Sequence, residues 1–130
     1  MRILGFSRKW GKLRNNTFTT FRFSRRDRDW QVAEVVQVVY KPRSKEREIL
    51  GTAQIITKEP RYMFRLGGKL AEPKVTNAEA NEDGFSDGID RYGNRKSGYY
   101  FMWEWLFDTY GGQRLIDEPM NKLLLQWVKG

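Results

Sequence analysis

The stretch Thr17–Phe23, T-F-T-T-F-R-F, governs the reading of this chain. Threonines and phenylalanines suit a pleated, half-buried surface, so the segment is expected as a strand with aromatics on one face and Thr17, Thr19 and Arg22 among its polar positions. A strand buried for stability alone has no use for a guanidinium. Arg22, set between Phe21 and Phe23, therefore points to a hydrogen-bonding site at the mouth of a small β-structure. The bland alternative is an edge strand that leaves Arg22 in water.

Further strands are expected on both sides. Arg2–Phe6 is a short one, followed by a basic, turn-rich stretch through Asn16. After the charged turn R-R-D-R-D at 25–29, the β-branched run Val32–Tyr40 reads as a strand buried on much of both faces. Pro42 ends it. Ile49–Thr57 resumes as a strand that closes at Pro60, with Gly51 suited to a bulge or a close backbone approach, and Tyr62–Leu66 is a further short strand.

The character changes near residue 75. Thr76 followed by Glu79 forms a capping box, so N-A-E-A-N-E-D is expected as a short helix with Gly84 as its left-handed C-terminal residue and Asp83 at the sharp helix end. A carboxylate there opposes the helix dipole, a misfit that favours a functional reading of Asp83. The Gly/Asp/Asn-rich segment 86–97 lacks the ligand spacing and terminal Glu of a calcium loop. Tyr99, Met102, Trp103, Leu106, Phe107 and Tyr110 recur at helical spacing as a core-facing stripe that ends at Gly111. Met120–Val128 supplies the last strand.

The composition excludes several chemistries. With no cysteine and no histidine, the chain has no disulfide, thiolate ligand or imidazole base. Carboxylate, hydroxyl and lysine chemistry remain, or a hard cation on oxygen ligands, and neither a metal nor a cofactor is expected. At 130 residues one domain over 1–130 is expected, as a monomer. The opening residues meet charge too early for a secretory signal, and no apolar run reaches the length of a membrane span, so a cytoplasmic protein without membrane partners is expected.

The net charge of +8 is uneven. Residues 1–30 carry nine Lys/Arg against two Asp, whereas residues 71–130 carry seven basic against ten acidic residues. Such asymmetry favours a polyanion, since each Lys or Arg that meets a phosphate releases condensed counterions. Arg8, Lys9, Lys12, Arg14, Arg25, Arg26 and Arg28 are the expected nucleic-acid contacts, and RNA or a nucleotide is the expected partner. A solvated basic surface without a partner is the alternative.

Strands first, helices late and a closing strand describe an α+β fold, a small β-barrel of five or six strands with inserted helices. T-T-F-R on an early strand, the turn V-T-N-A-E-A-N-E-D-G-F, an aromatic helix ending Y-G and a last hydrophobic strand together resemble the ASCH domain of the PUA-like superfamily. The resemblance implies a PUA-like barrel whose cleft binds RNA or a nucleotide. Members of the family are regarded as RNA-binding modules, as ribonucleases or as amidohydrolases acting on N4-acylated cytidine. The amidohydrolases look as if they use a lysine, a threonine and a glutamate, with the lysine three residues before the threonine. That motif matches Thr20 and Arg22, puts Thr17 at the lysine position, and makes Asp83, with Glu82 beside it, the best match for the glutamate. A threonine cannot replace an amine, which weakens the enzyme reading unless Lys12 reaches the cleft from the preceding loop. The expected function is nucleic-acid binding, most simply RNA binding, with Thr20, Arg22 and Asp83 as the ligand-binding set. The alternative is a hydrolase of RNA or of an N4-acylated cytidine-type nucleoside, with Thr20, Asp83 and Lys12 as its candidate catalytic residues; an interaction domain without nucleic-acid affinity is the third possibility.

Overall fold

The computed structural model of the chain describes residues 1–63 and 73–128. Its strands are β1 (Arg2–Phe6), β2 (Thr17–Arg22), β3 (Val35–Tyr40), β4 (Glu48–Arg61), β5 (Gly88–Ile89), β6 (Arg95–Lys96) and β7 (Met120–Trp127). A 3₁₀ turn covers Gly11–Arg14, and the helices are α1 (Asn77–Glu82), α2 (Gly98–Tyr110) and α3 (Gly112–Asp117). Five strands form one mixed sheet in the order β1-β3-β4-β7-β2, in which β1 runs parallel to β3 and the other pairs are antiparallel; β5 and β6 form a separate hairpin. The fold is α+β.

The expected closed barrel is corrected by this order. Among the described residues β1 and β2 are the two edges of the sheet, and no ladder joins them. The sheet is nevertheless strongly curled. Four interstrand steps of about 4.8 Å would separate the edges of a flat sheet by roughly 19 Å, yet Arg22 Nη2 of β2 donates to the Gly5 carbonyl of β1 at 2.7 Å and the Phe6 and Phe18 rings lie 6.2 Å apart. Side chains bridge the seam where backbone would have to close a barrel.

Burial follows the pleat. Leu4, Phe6, Phe18, Val36, Val38, Ala53, Ile55, Leu123 and Leu125 form one core with Trp30, built almost wholly from the curled strands. A second core joins Phe21, Phe23 and Met120 of the sheet to Ala80 of α1, Met102 and Leu106 of α2 and Leu115 of α3. β2 and β7 thus serve both cores, with Phe18 and Phe21 of β2 and Leu123 and Met120 of β7 divided between them. Along α2 the expected stripe is only partly inward: Met102 and Leu106 are buried, but Phe107 is 43% exposed.

Other departures have local causes. β3 starts at Val35 and not at Val32, because Ala33 takes φ 72° and the Glu34 N–H donates to the Gln31 carbonyl, making a turn of the segment before it. β4 runs through Pro60 to Arg61, since β3 covers β4 only as far as Gln54 and the missing N–H of Pro60 falls beyond that pairing. Gly51, at φ 150°, sits at the register shift opposite Val38, with the Trp127 ring against its open face. Of the short strand expected over Tyr62–Leu66, Tyr62 makes a bridge to Lys74, and residues 64–66 lie outside the described residues. α3 was not foreseen after the double glycine; it is held by buried Leu115 and by Gln113–Asp117 and Arg114–Glu118 contacts one turn apart.

The capping box at the start of α1 is present with both arms: the Glu79 N–H donates to Thr76 Oγ1 at 3.1 Å, and the Thr76 N–H donates to Glu79 Oε1 at 3.1 Å. Glu79 also binds Arg61 and Lys122. Removing the hydroxyl cap in Thr76→Ala is expected to cost about 1 kcal/mol. Glu79→Ala should cost more, because it removes the reciprocal arm and leaves two half-buried cations without their carboxylate. Thermal melts of the two variants check the order; a more damaging Thr76→Ala would contradict it.

Candidate ligand cleft

The site begins with a lysine that the chain buries. Trp10, in extended conformation, starts the 3₁₀ turn, and the turn carries Lys12 inward until its residue exposure falls to 9%. A buried ammonium needs a counter-charge and hydrogen bonds. Asp83, 6% exposed at the C-terminal cap of α1, supplies one: Lys12 Nζ donates to Asp83 Oδ1 at 2.6 Å. The carboxylate that opposes the helix dipole is thus offset by a cation from seventy-one residues away in sequence.

Burial acts on both partners against charge. It pushes the Asp83 carboxyl above its ordinary value and pulls the Lys12 amine below its own, while each opposes the other's shift by charge and by their shared hydrogen bond. Burial likewise lowers the Arg22 guanidinium, with Tyr110 and Asp83 opposing that shift. The Thr19 hydroxyl, itself buried, favours ionised Asp83 from a looser approach that makes no hydrogen bond of ordinary geometry.

Arg22 is half-buried, on an edge strand but not in water. Its Nε donates to Thr20 Oγ1 at 3.0 Å, its Nη2 to the Gly5 carbonyl, and its guanidinium carbon lies 4.8 Å from the centre of the Phe6 ring. Because Thr20 Oγ1 accepts from Arg22, the hydroxyl proton of Thr20 is left to donate elsewhere. The ion pair of Asp83 is with Lys12; Arg22 reaches Asp83 only as a neighbouring charge.

Lys12, Thr20, Arg22 and Asp83 line one cleft of about 330 Å³. Around this polar floor stand Trp10, Phe85, Trp105 and Tyr110, with Phe6, Phe21, Met102 and Leu106 also in the lining. The Trp10 ring packs 5.1 Å from Phe85 and 5.6 Å from Trp105. Gly84 permits this: at φ 112° it is in backbone territory that favours glycine, and a Cβ there would stand 2.8 Å from Trp10 Cε3. The α2 contribution was not anticipated from the sequence. Trp105 falls outside the expected apolar stripe, and this off-stripe tryptophan was the one available signal.

Thr17, at the position where the resembling enzymes place lysine, is exposed at the start of β2 and is not among the lining residues; neither is Glu82. The basic residues divide. Lys12 is buried and is therefore corrected from a phosphate contact to a cleft residue. Lys9 is paired with Glu48 at 2.6 Å, Arg25 donates to the Ile3 carbonyl and approaches Asp27, and Arg28 lies 3.6 Å from Glu34. Arg8, Arg14 and Arg26 are exposed. Arg2, also basic, is fixed by a two-pronged contact to Glu34, with both distances 2.6 Å.

Asp87 and Asp90 of the Gly/Asp-rich segment have local duties: Asp90 accepts from the Tyr92 and Asn94 N–H groups, and Asp87 from the Gly98 N–H at the start of α2. No described helix is long and apolar enough to cross a membrane. Compared with protein-family models, with curated proteins and with solved structures, the chain matches none.

Lys12→Met leaves the Asp83 carboxylate buried without its cation and is expected to cost about 3–5 kcal/mol. The double variant Lys12→Met/Asp83→Leu should lose less than the two single losses added together. In Lys12→Met the carboxyl of Asp83 is raised further, so the folded state holds its proton more tightly than the unfolded chain does. Stability lost above that raised value returns as pH falls toward the ordinary carboxyl range. The melting deficit against the parent should therefore shrink between pH 8 and pH 5; a deficit that widens on acidification would contradict the assignment.

Proposed function

We propose that this chain is a nucleic-acid-binding module, most simply an RNA-binding one, that takes one unstacked base or nucleoside into the cleft. The observation that carries the reading is the convergence of Thr20, Arg22, Asp83 and Lys12 on the floor of a cleft whose lining includes six aromatic side chains. Single-stranded RNA is read by stacking splayed bases on aromatic faces and by hydrogen bonds to their edges, and this cleft offers both. Arg22 and Lys12 present donors, Asp83 an acceptor and Thr20 a hydroxyl. Exposed Arg8, Arg14 and Arg26 supply sequence-independent attraction for phosphates nearby. On this reading the curled, side-chain-bridged sheet is an opened relative of the PUA-like barrel and the chain is an ASCH-type domain.

A second reading is favoured by one specific feature. The amine that the sequence lacks at Thr17 is present in the cleft as Lys12, beside Asp83 and in the same wall as Thr20. Burial lowers the Lys12 amine from its ordinary value, which eases release of its proton to a leaving group. For an N4-acylated cytidine, Asp83 takes a proton from the water that adds to the acyl carbonyl, the C–N bond breaks as Lys12 delivers a proton to the leaving cytosine amine, and Asp83 returns its proton to Lys12, leaving the free acid and cytidine. Thr20 would donate to the oxygen on which charge develops.

Two experiments test these readings. Binding of single-stranded RNA should weaken by orders of magnitude between about 50 and 200 mM salt if six or more phosphates are met. Trp105→Ala should weaken it by about 1–3 kcal/mol, the value of one base stack, and Arg22→Lys should weaken it with the fold intact because the planar fork is lost. Affinity indifferent to salt and to both substitutions would sink the binding reading. Incubation with N4-acetylcytidine, followed by chromatography for cytidine, decides the second: release that disappears in Lys12→Arg, which keeps a cation for Asp83 but not a titratable amine and whose melting curve checks its folding, makes the chain a hydrolase, and no release above background removes that reading.

A further inference from the structure

Arg8 stands apart from the other cations of the first thirty residues by what holds it. Its guanidinium carbon lies 3.8 Å from the centre of the Trp10 ring and 5.2 Å from that of Trp105, so it rests on two of the rings that wall the cleft. It is exposed, and it pairs with no carboxylate among the described residues. Its neighbours differ: Lys9 is held by Glu48 and Lys12 by Asp83. A guanidinium held over an aromatic face, with no carboxylate partner, keeps N–H donors free to receive a phosphate by two parallel hydrogen bonds. The stack itself is anchored from below, since Trp10 packs on Phe85 and fills the space a Cβ at Gly84 would take.

Inside the cleft the polar groups suit an uncharged base. Lys12 is already neutralised by Asp83, and Arg22 is already bonded to Thr20 and Gly5, so neither is free to accept a full phosphate charge. A phosphate therefore fits at the rim and a base fits within. Resting on the proposed base-binding role of the cleft, we infer that its ligand is a phosphorylated nucleoside, free or as one unit of a single strand, whose phosphate is held by the Trp10-stacked guanidinium of Arg8. Arg8 is then the residue that discriminates nucleotide from nucleoside.

Calorimetric titration of the full chain with adenosine, guanosine, cytidine and uridine, each paired with its 5′-monophosphate, and with inorganic phosphate alone, tests this. For the base that binds best, the monophosphate is expected to bind about tenfold or more tightly than the nucleoside, the scale of one charge-assisted hydrogen bond. In Arg8→Ala the ratio of the two affinities should fall to about one, and Arg8→Lys, which keeps charge but loses the planar fork, should leave an intermediate ratio. A melting curve unchanged from the parent confirms that the variants are folded. Equal affinities for nucleoside and monophosphate in the parent, or a preference that survives Arg8→Ala, would overturn the role of Arg8 while leaving the cleft as a nucleoside site. Inorganic phosphate binding as tightly as the monophosphate would place the anion site outside the cleft and overturn it too. Failure of every nucleoside and nucleotide to bind would bring down the cleft reading and this inference with it.

Discussion

The ion pair between Lys12 and Asp83 is the constraint on which the site depends. It joins the first connection of the chain, between β1 and β2, to the end of the first helix, across both of the chain's apolar cores. Two charges taken out of water at this depth are tolerated only together. Their partnership fixes three things at once: how far the 3₁₀ turn folds in over the seam, where α1 ends, and which polar atoms face the cleft. Trp10 and Phe85, each two residues from a member of the pair, meet as a direct result, and their rings form the wall.

The seam itself is a matter of unpaired backbone. β1 and β2 are consecutive in sequence and occupy opposite edges of the sheet, so curling brings two edges together that share no ladder. A buried carbonyl must still be satisfied. Arg22 does this for Gly5 while its Nε holds Thr20, and so one side chain both bridges the edges and forms part of the cleft floor. Arg25, three residues past β2 and bonded to the Ile3 carbonyl of β1, continues the same device along the gap. A fully laddered barrel would have no comparable opening between these strands.

Charge counted along the sequence is a poor measure of charge available at a surface. Arg2, Lys12 and Arg22 are among the nine cations of residues 1–30, but they are turned to Glu34, to Asp83 and to Thr20 with Gly5. Of the exposed cations that remain, Arg8 is the one placed against the rings that wall the cleft. Long-range attraction and short-range fit thus come from different residues of one segment.

Local patterns were legible in the sequence wherever the cause is local. T-F-T-T-F-R, the capping box at Thr76 and Glu79, the positive φ at Gly84, the bulge at Gly51 and the tryptophan-rich helix after Ser97 each rest on forces between residues a few positions apart, and each stands where it was expected. Arg22 and Asp83 stood out in the sequence as polar groups in contexts that stability alone does not explain, whereas Thr20 joined them only through the family resemblance. The openness of the sheet, the turn of Lys12 toward Asp83, the outward Phe107 and the place of Trp105 in the cleft wall were decided only by tertiary structure. They depend on which distant surfaces meet, on the desolvation that makes a lysine seek a carboxylate seventy-one residues away, and on the curl that brings two sheet edges within reach of one arginine; no window of sequence contains those distances.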